Sequence, residues 1–141
     1  MVTDAKGIPL AIRISAGNLH DIQEAIPTVE SIRVPQKRGA PKTRPKLLIA
    51  DKGYDARSFR YYLHNRNIPH VIPKREYKGK RPRKGRPVNF SYHIYKKRWV
   101  VERIFSFFNN FRRLAVRYDY LKSVYLGFLQ VAAIVICLRH F

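Results

Sequence analysis

Leu47-Leu48-Ile49-Ala50-Asp51-Lys52-Gly53-Tyr54 is an apolar run that stops at a carboxylate and a glycine. Residues 46–50 are nearly all apolar, which predicts a strand buried on both faces. Residues 55–67 then place Phe59, Tyr62 and Leu63 on one side at helical spacing. Residues 68–72 form a second short strand. Strand, helix and strand in that order make a βαβ unit with parallel strands. The fold class expected is therefore α/β.

Working outward, Val2-Thr3-Asp4 and residues 10–15 flank the turn residues Lys6-Gly7, and the second segment alternates apolar positions. That pattern predicts a hairpin. Asp21 followed by Glu24 has capping-box spacing and predicts a helix over 22–32, bent or shortened at Pro27. Residues 34–45 read as a loop. Residues 74–88 hold eight lysines and arginines and one acid, Glu76, without helical or strand period, and read as a basic loop. A long helix is expected over 90–111, a cationic turn over 112–119 and an apolar helix over 121–139. The apolar stretch 124–138 is interrupted by Gln130 and is shorter than the ~20 residues of a membrane span, so it reads as a buried core helix.

The 141 residues suit one domain. Twenty-nine lysines and arginines against nine acids give a formal charge of +20, which points to nucleic acid or another acidic partner. One cysteine, Cys137, cannot close an internal disulfide, and the first residues lack signal-peptide architecture. A cytoplasmic location with no membrane partner is the expectation.

Two of the few acids stand where chemistry is done. Asp51 ends a parallel strand, at the edge where open α/β sheets bind ligands. The alternative is that it only caps its turn. Glu102 shares a helix face with Tyr95 and Arg98. The alternative there is an ordinary surface ion pair with Arg98. A carboxylate facing a phosphate backbone is unfavourable unless a divalent cation lies between them. That is the logic of a metal-dependent nuclease or polynucleotidyl transferase.

Tyr95-x2-Arg98-x3-Glu102 resembles the signature around the last acid of DDE transposases from bacterial insertion sequences. Ala50-Asp51-Lys52-Gly53-Tyr54-Asp55 is similar to the stretch around their second acid. Arg98-Trp99-Val100-Val101-Glu102-Arg103, Phe111-Arg112-Arg113-Leu114, Arg117-Tyr118 and Asn18-x-His20-Asp21 are similar to forms in the insertion-sequence-five group. The resemblance covers essentially the whole chain. It implies a ribonuclease-H-like mixed sheet flanked by helices, with strand order third, second, first, fourth, fifth.

The resemblance also implies DNA transposition, in which three carboxylates hold two Mg²⁺ (or Mn²⁺) ions for strand cleavage and strand transfer at the element's ends. Asp51 and Glu102 map onto two of those catalytic metal ligands, and Tyr95 and Arg98 onto DNA contacts. Lys80, Arg81, Arg83 and Lys84 would track duplex DNA along its phosphates. A lysine seven residues after the glutamate is replaced by Asn109, and Arg112 and Arg113 are expected to substitute for it. The family's first aspartate precedes the stretch that residues 1–4 resemble, and Asp4 lies on the hairpin. Residues 1–141 are therefore expected to be a partial catalytic domain lacking the first, central strand. It would be inactive without an upstream transposase fragment that supplies the first aspartate, and homo-oligomeric when active. Two further readings are a non-catalytic basic DNA-binding fragment and a metal-dependent nuclease of the same fold.

Overall fold

Asp4 closes the first turn. Its Oδ1 accepts hydrogen bonds from the Lys6 and Ile8 amides at 2.9 and 2.8 Å. The turn joins β1 (Val2–Thr3) to β2 (Pro9–Ala11), antiparallel, with Val2 opposite Ala11 and Thr3 opposite Pro9. Gly7 takes φ +98°, in the left-handed region that glycine adopts freely. A Cβ there would stand 3.1 Å from Ile104 Cδ1 and 3.2 Å from Arg103 Nη2, so glycine lets the turn lie against a later helix.

The computed structural model describes residues 1–75 and 90–139. The expected basic loop falls outside them from residue 76 on, with Lys80, Arg81, Arg83 and Lys84.

Helix α1 spans Asp21–Glu30. The capping box does not form: His20 is the N-cap and no side chain caps it. Asp21 is already the first helical residue, which puts Glu24 one position too far along the helix for a reciprocal box. Glu24 instead accepts from Arg13 Nε at 2.9 Å. Pro27 is accommodated inside the helix.

The βαβ unit forms as expected, in shorter pieces. β3 (Leu48–Ile49) pairs in parallel with β4 (His70–Val71), Leu48 opposite His70 and Ile49 opposite Val71. Helix α2 (Arg57–Asn65) connects them and buries Phe59 and Leu63. Strand burial on both faces does not hold, because Leu47 is 40% exposed while Leu48 is buried. A two-stranded sheet covers only one side of so short a strand. The connection between β3 and α2 is a 3-10 turn, Lys52–Tyr54, against which α1 packs. Ala25, Val29, Ile32, Leu48, Phe59, Leu63 and Ile72 form one core around this unit.

Among the described residues the strands make two separate two-stranded sheets, one antiparallel and one parallel, in a mixed α/β arrangement. The expected long helix is broken into α3 (Tyr92–Tyr95), a 3-10 turn at Lys96–Arg98, and α4 (Trp99–Asn109). Tighter 3-10 turns are common at such helix ends. Helix α5 (Arg112–Ala115) leads to α6 (Lys122–Leu138). Ile104, Phe108, Leu114, Ala132 and Ile136 make the second core.

α6 is not the buried core helix its composition predicts. Only Ala132 and Ile136 are buried, whereas Val131 and Ile134 are each 58% exposed. A helix apolar all round gives no stripe by which its packed side can be read. None of the described helices is long and apolar enough to cross a membrane.

Candidate active site

Asp51 follows β3 and begins the 3-10 turn, where its side chain accepts from the Lys52 amide. It therefore does cap its turn. Its carboxylate nevertheless stays exposed. Glu102 lies in the first turn of α4. Its Oε1 is 2.7 Å from Arg98 Nη1, with the two side chains 59% and 34% exposed. So open a pair contributes under about 1 kcal/mol to folding, so stability is a poor account of it. The Arg98 guanidinium also lies over the Tyr95 ring, 5.6 Å from its centroid. Tyr95, Arg98 and Glu102 are thus joined along one face, as their spacing predicts.

Burial works to lower the pKa of Arg98, but Tyr95, Glu102 and Asp51 outweigh that effect and the pKa is raised. Glu102 pairs with this guanidinium directly, while Asp51 reaches it only through its charge. Tyr54 adds a second link. Its phenol is pushed up by burial first, then by the negative charges of Asp21 and Asp51. Asp21, at the start of α1, therefore bears on the same phenol as Asp51, an influence that its reading as a helix cap conceals. Its only sequence signal is the Asn18-x-His20-Asp21 resemblance.

The corner is open and its acids face cations and phenols. Among the described residues no three histidines, cysteines or acids come close enough together to hold a metal ion. Asp51 and Glu102 nonetheless offer hard carboxylate oxygens of the kind Mg²⁺ takes. Among the expected DNA contacts, Arg112 is exposed. Arg113 is engaged within the chain: its guanidinium stands over Phe128, 4.9 Å from the centroid, and 3.7 Å from Asp119 Oδ1.

Similarity to known proteins fits this geometry. A family model described as "Transposase DDE domain" matches residues 1–138. The chain is 35% identical over 138 residues to a Burkholderia cepacia protein named as a transposase for insertion sequence element IS402. It is 26% identical over 138 residues to a Brucella ovis protein named as a transposase for insertion sequence element IS6501. The match takes in 97% of this chain and 60% of the first relative's length, and 98% of this chain and 95% of the second's. No solved structure matches.

Proposed function

The chain belongs to the DDE transposase family, and from that premise we propose that it works in DNA transposition as the part of a catalytic domain that carries Asp51 and Glu102. The observation that carries this reading is the face shared by Tyr95, Arg98 and Glu102, with Arg98 Nη1 2.7 Å from Glu102 Oε1 and its guanidinium over the Tyr95 ring. Residues 1–141 would be a partial ribonuclease-H-like domain. The antiparallel pair β1–β2 and the parallel pair β3–β4 correspond in direction and chain order to its second to fifth strands. The central strand and the third carboxylate would come from a segment outside the described residues.

DDE transposases as a family depend on divalent metal. A bound Mg²⁺ or Mn²⁺ would neutralise charge between carboxylates and a phosphodiester and activate the attacking oxygen. Asp51 and Glu102 would hold it. Arg98 holds Glu102 in an ion pair and, once relieved of it, would be free to contact a phosphate oxygen. Tyr95 supports Arg98 from beneath.

Supercoiled DNA tests the proposal. The chain alone should nick it weakly or not at all. Together with the segment that supplies the third acid, it should nick only when Mg²⁺ or Mn²⁺ is present. Joining of a labelled element end to target DNA would then distinguish a transposase from a nuclease of the same fold. Cleavage that persists in a chelator would overturn the metal reading.

DNA binding should outlast catalysis. With a formal charge of +20, the chain should bind duplex DNA with an affinity that falls steeply with salt. The slope of log affinity against log salt should be about −0.9 per phosphate contact. Replacing Lys80, Arg81, Arg83 and Lys84 by alanine should flatten it by about 0.9 for each residue that touches a phosphate. An unchanged slope, measured by fluorescence anisotropy, would reduce residues 74–88 to a connector.

A further inference from the structure

α6 carries two apolar faces on opposite sides. Phe128, Leu129, Ala132 and Ile136 recur at helical spacing and belong to the second core. Val124, Gly127, Val131, Ile134 and Leu138 lie on the other side, at steps of three, four, three and four residues. That alternation is the seam of a coiled coil, narrower than the stripe by which a helix sits on a globular core. Its four side chains are between 40% and 69% exposed.

Gly127 marks the same face. A Cβ there would meet no atom within 4 Å, so packing within the chain does not call for a glycine. In a helix interior it costs about 0.8–1 kcal/mol relative to alanine. A second helix passing close over the seam would use the gap it leaves.

Charge narrows the choice of that helix. Residues 123–138 contain no charged side chain, in a chain of formal charge +20. Two such chains repel one another over most of their surfaces, and this strip lets them touch with little repulsion. An identical α6 turned end for end about Val131 supplies a matching seam, because Val124 and Leu138 stand seven residues to either side of it. Val124 then faces the copy's Leu138, and Gly127 faces its Ile134 and Val135, small against large. The two macrodipoles oppose, which is favourable. A parallel pair would instead set glycine against glycine and leave a void.

We propose that the outer seam of α6 is an interface between two copies of this chain, paired antiparallel about Val131. The pairing is independent of the DNA reading, since no residue of the seam belongs to the carboxylate corner. Tyr120 and Leu121, 99% and 66% exposed, extend the apolar surface beyond the N-terminal end of the helix. A seam of 17 residues is only about 25 Å long, so the pair should dissociate in the micromolar range.

The full chain, freed of nucleic acid, is followed by sedimentation equilibrium at about 0.3 M salt, which screens the residual repulsion. Over roughly 1–200 µM its mass should rise from 16.6 kDa toward twice that value. Val131→Lys and Ile134→Lys should each weaken association about tenfold or more. Both positions are exposed, so circular dichroism and the urea midpoint should hardly change. Tyr61→Lys places the same charge on exposed α2 and should leave the dimer within about twofold. Cysteine cross-linking in a Cys137→Ala background reads the geometry. Val131→Cys should form a disulfide dimer on mild oxidation, because the axis brings its two sulfurs together. Val124→Cys should not, whereas Val124→Cys combined with Leu138→Cys should.

A chain that stays monomeric over the whole range while binding an apolar dye would overturn the pairing. So would lysine variants that associate as the unsubstituted chain does, or an equal loss in Tyr61→Lys. Cross-linking through Val124→Cys alone, as efficient as through Val131→Cys, would overturn the antiparallel arrangement.

Discussion

Asp55→Ala should destabilise the βαβ unit by about 3–5 kcal/mol, the cost of leaving one half of a buried ion pair without its partner. The Asp55 side chain is 1% exposed and that of Arg60 17% exposed, with Oδ1 2.7 Å from Nε. Asp55 Oδ2 accepts the Arg75 amide at 2.8 Å, and Arg60 Nη2 donates to the Ile72 carbonyl at 2.8 Å. One carboxylate therefore ties the entry of α2 to the chain leaving β4. Removing it takes a partner from a largely buried guanidinium and another from a backbone amide. Against the 5–15 kcal/mol by which domains are typically stable, a loss near the upper figure would leave much of the chain unfolded. Asp55→Asn keeps an acceptor but not the charge and should cost less, about 1–3 kcal/mol. Urea denaturation followed by circular dichroism measures both. A shift below about 1 kcal/mol for the alanine variant would mean that the clamp does not hold the unit together.

The sequence shows no sign of this clamp. Asp55 reads only as the first residue of the helix expected over 55–67. Its burial depends on Arg75, twenty residues away, and on the path of β4. What reads directly is periodic and local. Phe59 and Leu63 recur one turn apart and are buried, and the two apolar runs around them pair in parallel. The face shared by Tyr95, Arg98 and Glu102 was legible for the same reason, since three- and four-residue spacings fix neighbours on a helix.

The misreadings have physical causes. A capping box depends on register to a single residue, and the helix begins at Asp21 instead of after it. The uniform apolarity of α6 concealed that Val131 and Ile134 face outward. The influence of Asp21 on Tyr54 arises from α1 packing on the 3-10 turn, a contact between elements that no local pattern encodes. Trp99 and Tyr92 carry no sequence signal of their surroundings. Only the structure shows that cations lie over their rings and that solvent reaches the remainder.

Asp51→Asn and Glu102→Gln should have the largest effect on activity and opposite effects on its two components. In the protein completed by its third carboxylate, each should lower metal-dependent cleavage about a thousandfold or more. Metal stabilisation of a phosphoryl-transfer transition state is worth several kcal/mol, at about 1.4 kcal/mol per tenfold. Without metal, the same substitutions remove a negative charge that would face the DNA backbone, so duplex affinity should stay level or rise. Stability should hardly change with Glu102→Gln, because the exposed pair it breaks at 2.7 Å contributes under about 1 kcal/mol. A fall in cleavage therefore could not be assigned to unfolding. Mn²⁺ provides a readout independent of turnover, since Trp99 lies one helical turn from Glu102 and its emission should report the ion's binding. That response should weaken in both variants. Undiminished metal-dependent cleavage in either variant, or DNA affinity that falls together with cleavage, would remove that residue from the metal site and make it an ordinary surface carboxylate.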